Sequence, residues 1–398
     1  MRLRNLLKEC NNQVGSRKDL PLLSLTKKGV ILRDIDSGKG KFPKDFESYK
    51  IVEPDHLIFC LFDIDETPRT VGLSNLNGMI TGAYDVFNIS EMVNKHFIYY
   101  YFLAVDDQKA LRPYYSGLRK VVQLPKFLGI QIPIPPLGEQ KKIVEYLSTK
   151  TSQIDAQQRE RERELRLLDE LKQAEIANVV TRGLNPDVPM KDSGIPWIGQ
   201  IPAHWETKRL GSLFHDRVNV NSDYKFDRAY KFNYGTLVPK EETGDVADLR
   251  DTYIKYSVLQ PNDIVINGLN LNYDFVSKRV AISPTDCIIT SAYLVLRPFS
   301  NTFAEYFLQL FKAMDSQKLF HGMGTGIRLT LSFNELKAQV LPIPPIEEQK
   351  AIVEYIQQKN SAIDEMIANL RAEIDFLTEY KQRLIADVVT GQINVQNL

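Results

Sequence analysis

The stretch Asn267–Arg279, NGLNLNYDFVSKR, gathers three asparagines beside a tyrosine, a lysine and an arginine. An amide side chain can bond bidentately to adenine N6 and N7, and a guanidinium to guanine O6 and N7. Asn267, Asn270, Asn272, Tyr273, Lys278 and Arg279 are therefore a set whose chemistry suits base edges in a major groove, or a polar surface turn. An earlier stretch, FDIDETPRTVGLSN (Phe62–Asn75), is acidic and ill suited to phosphate; Arg69, Asn75 and Asn77 are the candidates there. An acidic reader is also chemically sound, since a carboxylate accepts from cytosine N4. Lys39 and Lys41 in DSGKGKFPK, with Lys225 and Arg228 in DYKFDR, fit contacts that position a phosphate backbone without specifying bases. The ordinary alternative for each is a solvated surface cation. Arg119 and Arg328 stand at matched places in GLRKVVQL and GIRLTLSF, where phosphate binding and a structural bridge to the long helical rod that follows each are equally open.

Other chemistry is weakly signalled. SGKGK lacks the upstream glycine and the following Ser or Thr of a phosphate loop. The five histidines (His56, His96, His204, His215, His321) have no metal-ligand spacing, and the three cysteines are far apart. Asp63 and Asp65 could act as paired carboxylates, but a turn between strands explains them as well. The chain has 398 residues, 43% hydrophobic and 25% charged, enough for two or more domains with real cores. Its net charge is zero, although residues 1–50 hold twelve Lys or Arg against six Asp or Glu. That balance argues against a protein that coats nucleic acid by charge alone. No apolar run reaches membrane-spanning length and no secretory apolar stretch opens the chain, so a cytoplasmic protein is expected.

The elements that must hold these residues come from an internal repeat. IPIPPLGEQKKIVEYL begins at Ile132 and LPIPPIEEQKAIVEYI at Leu341. An offset of 209 runs without a gap from Pro133/Pro342 to Asn185/Asn394. Each copy opens extended, because proline fixes φ and pushes its predecessor out of the helical region. Then follow 43 residues, Glu139–Thr181 or Glu348–Thr390, with neither proline nor glycine. The second copy spaces Ile363, Ile367, Leu370, Ile374, Leu377, Lys381, Leu384 and Val388 as a coiled-coil seam. The matching seam of the first is more polar: Ile154, Gln158, Arg161, Leu165, Leu168, Lys172, Glu175, Val179. Each helix is a rod of about 64 Å, and an exchange of the two about a two-fold axis requires antiparallel packing.

The duplication continues outside the rods. MITGAY (Met79–Tyr84) matches IITSAY (Ile288–Tyr293) at 209, and YKIVEPDHLIF (Tyr49–Phe59) matches YSVLQPNDIVI (Tyr256–Ile266) at 207. Short β-branched and aromatic runs between turn residues predict mixed β/α domains. FAEYFLQLFKAM predicts a core helix, and Ser332–Glu335 a capping box. The fold class expected is α+β: two globular domains, 1–130 and 186–340, joined by two long antiparallel coiled-coil helices, 131–185 and 341–398, with pseudo-two-fold symmetry.

The Pro-Ile-Pro-Pro-x-x-Glu-Gln opening, the Ile-Val-Glu-Tyr helix start, the Gly-[Leu/Ile]-Arg anchor and GIPWIGQIPAHWETKRL (Gly194–Leu210) together resemble the specificity subunit of type I restriction–modification enzymes. The resemblance covers essentially the whole chain. One departure is that the tryptophan-bearing segment has no counterpart before the first domain, where Arg2-Leu3 aligns with Arg209-Leu210. The resemblance implies two target-recognition domains, each reading one half of a split site in double-stranded DNA. The helices would set the half-site distance, with centres about one turn (34–36 Å) or somewhat more apart, and dock two modification subunits. It also implies no catalysis and no cofactor on this chain: S-adenosylmethionine, and ATP with Mg, belong to modification and restriction partners. Consistent with that, the Asn/Asp-Pro-Pro-Tyr/Phe loop of adenine methyltransferases of this class is absent from the sequence. The competing classes are a non-catalytic protein-interaction scaffold and, far less favoured, a methyltransferase or nuclease acting alone.

Overall fold

The computed structural model describes residues 1–16, 20–33, 46–216, 219–241, 246–326 and 329–395. The chain divides into two compact units, one made of Met1–Glu162 with Leu370–Leu398, the other of Arg163–Asn369. Each repeated helical stretch contributes to both units.

Each unit holds a four-stranded antiparallel sheet with the same strand order. In the first unit it runs Leu7–Glu9, Asp85–Ile89, Leu57–Phe59, Val71–Leu73; in the second, Phe214–His215, Leu294–Pro298, Ile264–Ile266, Val280–Ile282. The central strands Leu57–Phe59 and Ile264–Ile266 are buried on both faces, and their sequences read as unbroken apolar runs for that reason. A separate hairpin accompanies each sheet, Leu23–Thr26 with Gly29–Leu32 and Tyr230–Asn233 with Thr236–Pro239. The first core centres on Phe59, whose ring meets Phe102 and Phe127 at 4.8 Å between centroids. The second centres on Phe214, Phe307 and Phe311.

Helix α1 (Lys95–Asp107) starts at Asn94, whose side-chain oxygen accepts from the backbone N–H groups of His96 and Phe97. The first spacer helix α2 spans Leu137–Arg182, the core helix α3 Ala304–Ser316, and the second spacer α4 Ile346–Val389. The repeated Pro-Pro-x-x-Glu-Gln motif has a mechanical reason: Gln140 and Gln349 are buried and donate to the carbonyls of Pro135 and Pro344 at 2.7 and 2.8 Å. Each thereby ties a helix start to the extended prolines that cannot join the helical ladder. The capping box at Ser332 and Glu335 is formed.

Within the first unit Asp155 pairs with Lys381 at 2.5 Å, Gln158 with Thr378 at 2.7 Å and Arg161 with Glu373 at 2.9 Å. Within the second, Lys172 pairs with Asp364 at 2.6 Å and Glu175 accepts from Tyr355 at 2.6 Å. Numbers rise along α2 as they fall along α4, so in each unit the segments run antiparallel. The polar residues of the weaker seam therefore bond across to the partner helix.

Entry into the second unit is fixed by Trp205, fully buried, whose indole N–H donates to Glu348 at 3.0 Å. Gly183 ends α2 at φ +75°, and a Cβ there would stand 2.7 Å from Glu348 Oε1. Tyr306 donates to the carbonyl of Val180 at 2.8 Å, one of the last-turn acceptors that the helix itself leaves unpaired. Strand Glu206–Arg209 then pairs with Val340–Ile343. The first unit makes the same join more briefly, with Arg2 bridging Gln131 and Leu3 N–H donating to Ile130 O at 3.0 Å.

Candidate nucleic-acid interface

The loop 267–279 is held from beneath by its own arginine. Arg279 is fully buried; its guanidinium donates to the carbonyls of Asn267 and Leu269 at 2.9 Å and of Asp274 at 2.5 Å. Its backbone N–H donates to Asp315 at 2.7 Å. The expectation that Arg279 meets a base edge is therefore corrected: no donor of that fork is turned outward, and the side chain shapes the loop. Asn267 is likewise engaged, its side-chain oxygen accepting from Leu269 N–H at 3.2 Å. Asn272 is half-buried. Asn270, at φ +53°, is exposed, as are Tyr273 and Lys278. Asp274 accepts from the N–H groups of Val276 and Ser277 at 3.1 and 3.0 Å. Bonds from Ser277, first its hydroxyl, pull the Asp274 carboxyl down to about 2. Gly268 lets Leu331 approach, since a Cβ there would lie 2.8 Å from the Leu331 carbonyl.

Beside this loop the hairpin tip carries Tyr234 at φ +45° and Gly235 at φ +80°, positive at both central residues, the signature of a tight type I′ turn. Tyr234 is 83% exposed. Along the same unit, cations lie over aromatic faces: Lys225 over Phe226, Arg228 over Tyr230, Lys240 over Tyr253 and Arg250 over Tyr224, at 5.1–5.9 Å. Lys225 and Arg228 are exposed as well as held over these rings.

In the first unit the acids of the 62–75 stretch are neutralised. Arg112 and Lys120 reach Asp65 at 2.8 and 3.2 Å, Tyr115 donates to it at 3.2 Å, and Arg119 reaches Asp63 at 3.2 Å. The Arg112 bond, aided by Lys120 and Tyr115, holds the Asp65 carboxyl at about 2. Arg119 also lies over Phe62 at 5.1 Å while its side chain stays 71% exposed. Its ion-pair partner is thus a turn of the globular part and not the long helix. Asn75 and Asn77 are exposed between strands Val71–Leu73 and Gly78–Ile80. Arg69 pairs with Asp106 and Asp107 at 3.1 and 3.0 Å and is mostly buried. Lys39, Lys41 and Arg328 lie outside the described residues.

Sequence reasoning passed over Tyr234, Lys240 and Arg250. The Asn-x-Gly turn could have flagged Tyr234; the other two are joined to their aromatic partners only by the fold. Among the described residues no group of three His, Cys, Asp or Glu side chains is placed to hold a metal ion, and no helix is long and apolar enough to cross a membrane.

Residues 76–166 and 202–375 match the type I restriction modification DNA specificity domain. The chain is 28% identical over 294 residues to the type I restriction enzyme MjaVIII specificity subunit of Methanocaldococcus jannaschii, covering 68% of this chain and 64% of that protein. To the EcoBI specificity subunit of Escherichia coli it is 25% identical over 294 residues, covering 67% and 59%. The matches thus span less than two thirds of those relatives. A chain from a solved structure, described as the structural basis underlying complex assembly and conformational transition of the type I R-M system, aligns with a TM-score of 0.65 at 15% identity. It covers 98% of this chain and 96% of the other, a likeness of fold. The specificity-domain match takes in more than half of the residues and falls in both compact units, and the chain belongs to the type I restriction modification DNA specificity family.

Proposed function

We propose that the chain is the DNA-recognition subunit of a type I restriction–modification enzyme. Each unit's globular part reads one half of a split site, and the paired helices set the spacing and dock two modification subunits. The observation that carries this reading is that the two units share sheet order, helix starts and hairpin anchors but differ in their exposed polar loops. A common frame with different tips suits two readers of different half-sites. The chain itself supplies no catalytic group; S-adenosylmethionine, and ATP with Mg where a restriction subunit joins, belong to the partners. The working place is the cytoplasm, with the DNA.

The test is single-molecule methylome sequencing of cells carrying this chain with its modification subunit, against cells lacking the chain. A two-part motif, methylated on adenine in both halves at a fixed spacing and lost without the chain, is expected. Methylation unchanged by its removal would favour the protein-interaction scaffold.

A further inference from the structure

In the second unit a cavity of 380 Å³ opens where the Tyr234–Gly235 tip, the end of the 267–279 loop and α3 meet the α2 segment. Its charged lining is four lysines, Lys172, Lys278, Lys312 and Lys318, against two carboxylates, Asp169 and Asp315. Lys172 is held by Asp364 at 2.6 Å and Lys278 lies 3.7 Å from Asp169. Asp315 is turned to the backbone N–H of Arg279. Lys312 and Lys318 make no ion pair among the described residues. Lys318 also occupies φ +60°, a conformation that L side chains rarely adopt. Burial depresses the Lys312 ammonium, and the nearby charges of Lys172 and Lys278 depress it further.

The first unit has a cavity of 930 Å³ at the same place under the 209 offset, with Asp106, Lys109 and Lys381 standing for Asp315, Lys318 and Lys172. There Arg69 and Lys109 pair with Asp106, and Lys381 with Asp155. Position 312 corresponds to Leu103. The charge comes instead from Lys27 and Lys28 at the hairpin tip and Arg159 on α2, none of them in an ion pair among the described residues. Six cations line this cavity against four carboxylates, so each unit carries a surplus of two positive charges. Arg69, Lys109 and Lys381 match Lys278, Lys318 and Lys172 in charge, while Lys312 in one cavity and Lys27, Lys28 and Arg159 in the other have no cationic match, so the surplus is kept although part of it comes from different residues.

We propose that each cavity is a seat for a phosphate group of the DNA backbone, formed by Lys27, Lys28 and Arg159 in the first unit and by Lys278, Lys312 and Lys318 in the second. This rests on the DNA-reading function and adds to it the contacts that hold the duplex in register without reading sequence. The test is the salt dependence of binding of the full-length chain, with its modification subunits, to a random-sequence duplex. Lys312→Leu, which installs the residue found at the matching position, and Lys27→Gln with Lys28→Gln should each weaken binding to all sequences alike. Each should also flatten the slope of log affinity against log salt by about 0.9 per phosphate lost. Lys142→Gln, outside both cavities, should leave the slope unchanged, and Lys318→Gln replaces Lys312→Leu if that variant misfolds. Folded variants with the wild-type slope overturn the proposal. Stabilisation by inorganic phosphate that Lys312→Leu abolishes, with the duplex slope intact, would assign the seat to a free anion and overturn the backbone assignment. A wild-type assembly that binds no duplex at all would instead sink the DNA-reading function, and the seats with it.

Discussion

Lys278 and Arg279 are sequence neighbours of like charge, yet the lysine keeps 61% of its side chain exposed and the arginine none. Both stand just before the strand Val280–Ile282, the lysine facing out and the arginine turned into the unit. A guanidinium can satisfy three loop carbonyls at once from that inward position. Arg279→Ala strips them of partners that water cannot replace, and a loss of about 3–5 kcal/mol is expected in chemical denaturation. Arg279→Lys should rescue little of it, because a single ammonium lacks the fork. Asp274 gives a pH signature on the same loop. Its folded pKa of about 2 lies below the unfolded carboxylate value, so its contribution is complete above pH about 4 and disappears as pH falls through 2. The stability gap between wild type and Asp274→Ala should therefore close over that window, and NMR should place the Asp274 midpoint near its lower end.

At the scale of elements, the spacer helices are joined by polar pairs as well as by an apolar seam. Asp155–Lys381 and Lys172–Asp364 are the same pair under the 209 offset, one in each unit. Such pairs are half-exposed and contribute little to stability, but a mis-registered helix would leave them unmatched, which favours the observed antiparallel alignment. A double-mutant cycle on Lys172→Ala and Asp364→Ala should give a coupling of about 0.3–1 kcal/mol that shrinks as salt is raised. A coupling of zero at low salt would remove the pair from the register argument.

At the scale of the whole chain, each unit draws helix from both halves of the sequence. A unit proposed to read a half-site is therefore completed by a helical segment encoded about two hundred residues away, Leu370–Leu398 for the first unit. The fixed spacing expected in the methylome follows from this construction: the helices that would set distance are also parts of the bodies that would read.

The duplication, the two long helices, the extended proline entries, the core helix at Ala304–Ser316 and the capping box at Ser332 were legible in the order of residues alone. These depend on periodicity, φ restriction and local hydrogen bonding, all properties of near neighbours along the chain. Residue type alone also brought the exposed candidates Asn75, Asn77, Asn270, Tyr273, Lys225 and Arg228 into view. The packing in space made Arg279 a buried staple, bound Arg69 to Asp106 and Asp107, and set cations some fifty residues later against Asp63 and Asp65. It alone gathered Lys312, Lys318 and Lys172 around one cavity. The physical reason is that charge interactions depend on distance and burial in space, and irregular β-domains bring together residues whose separation along the chain follows no period.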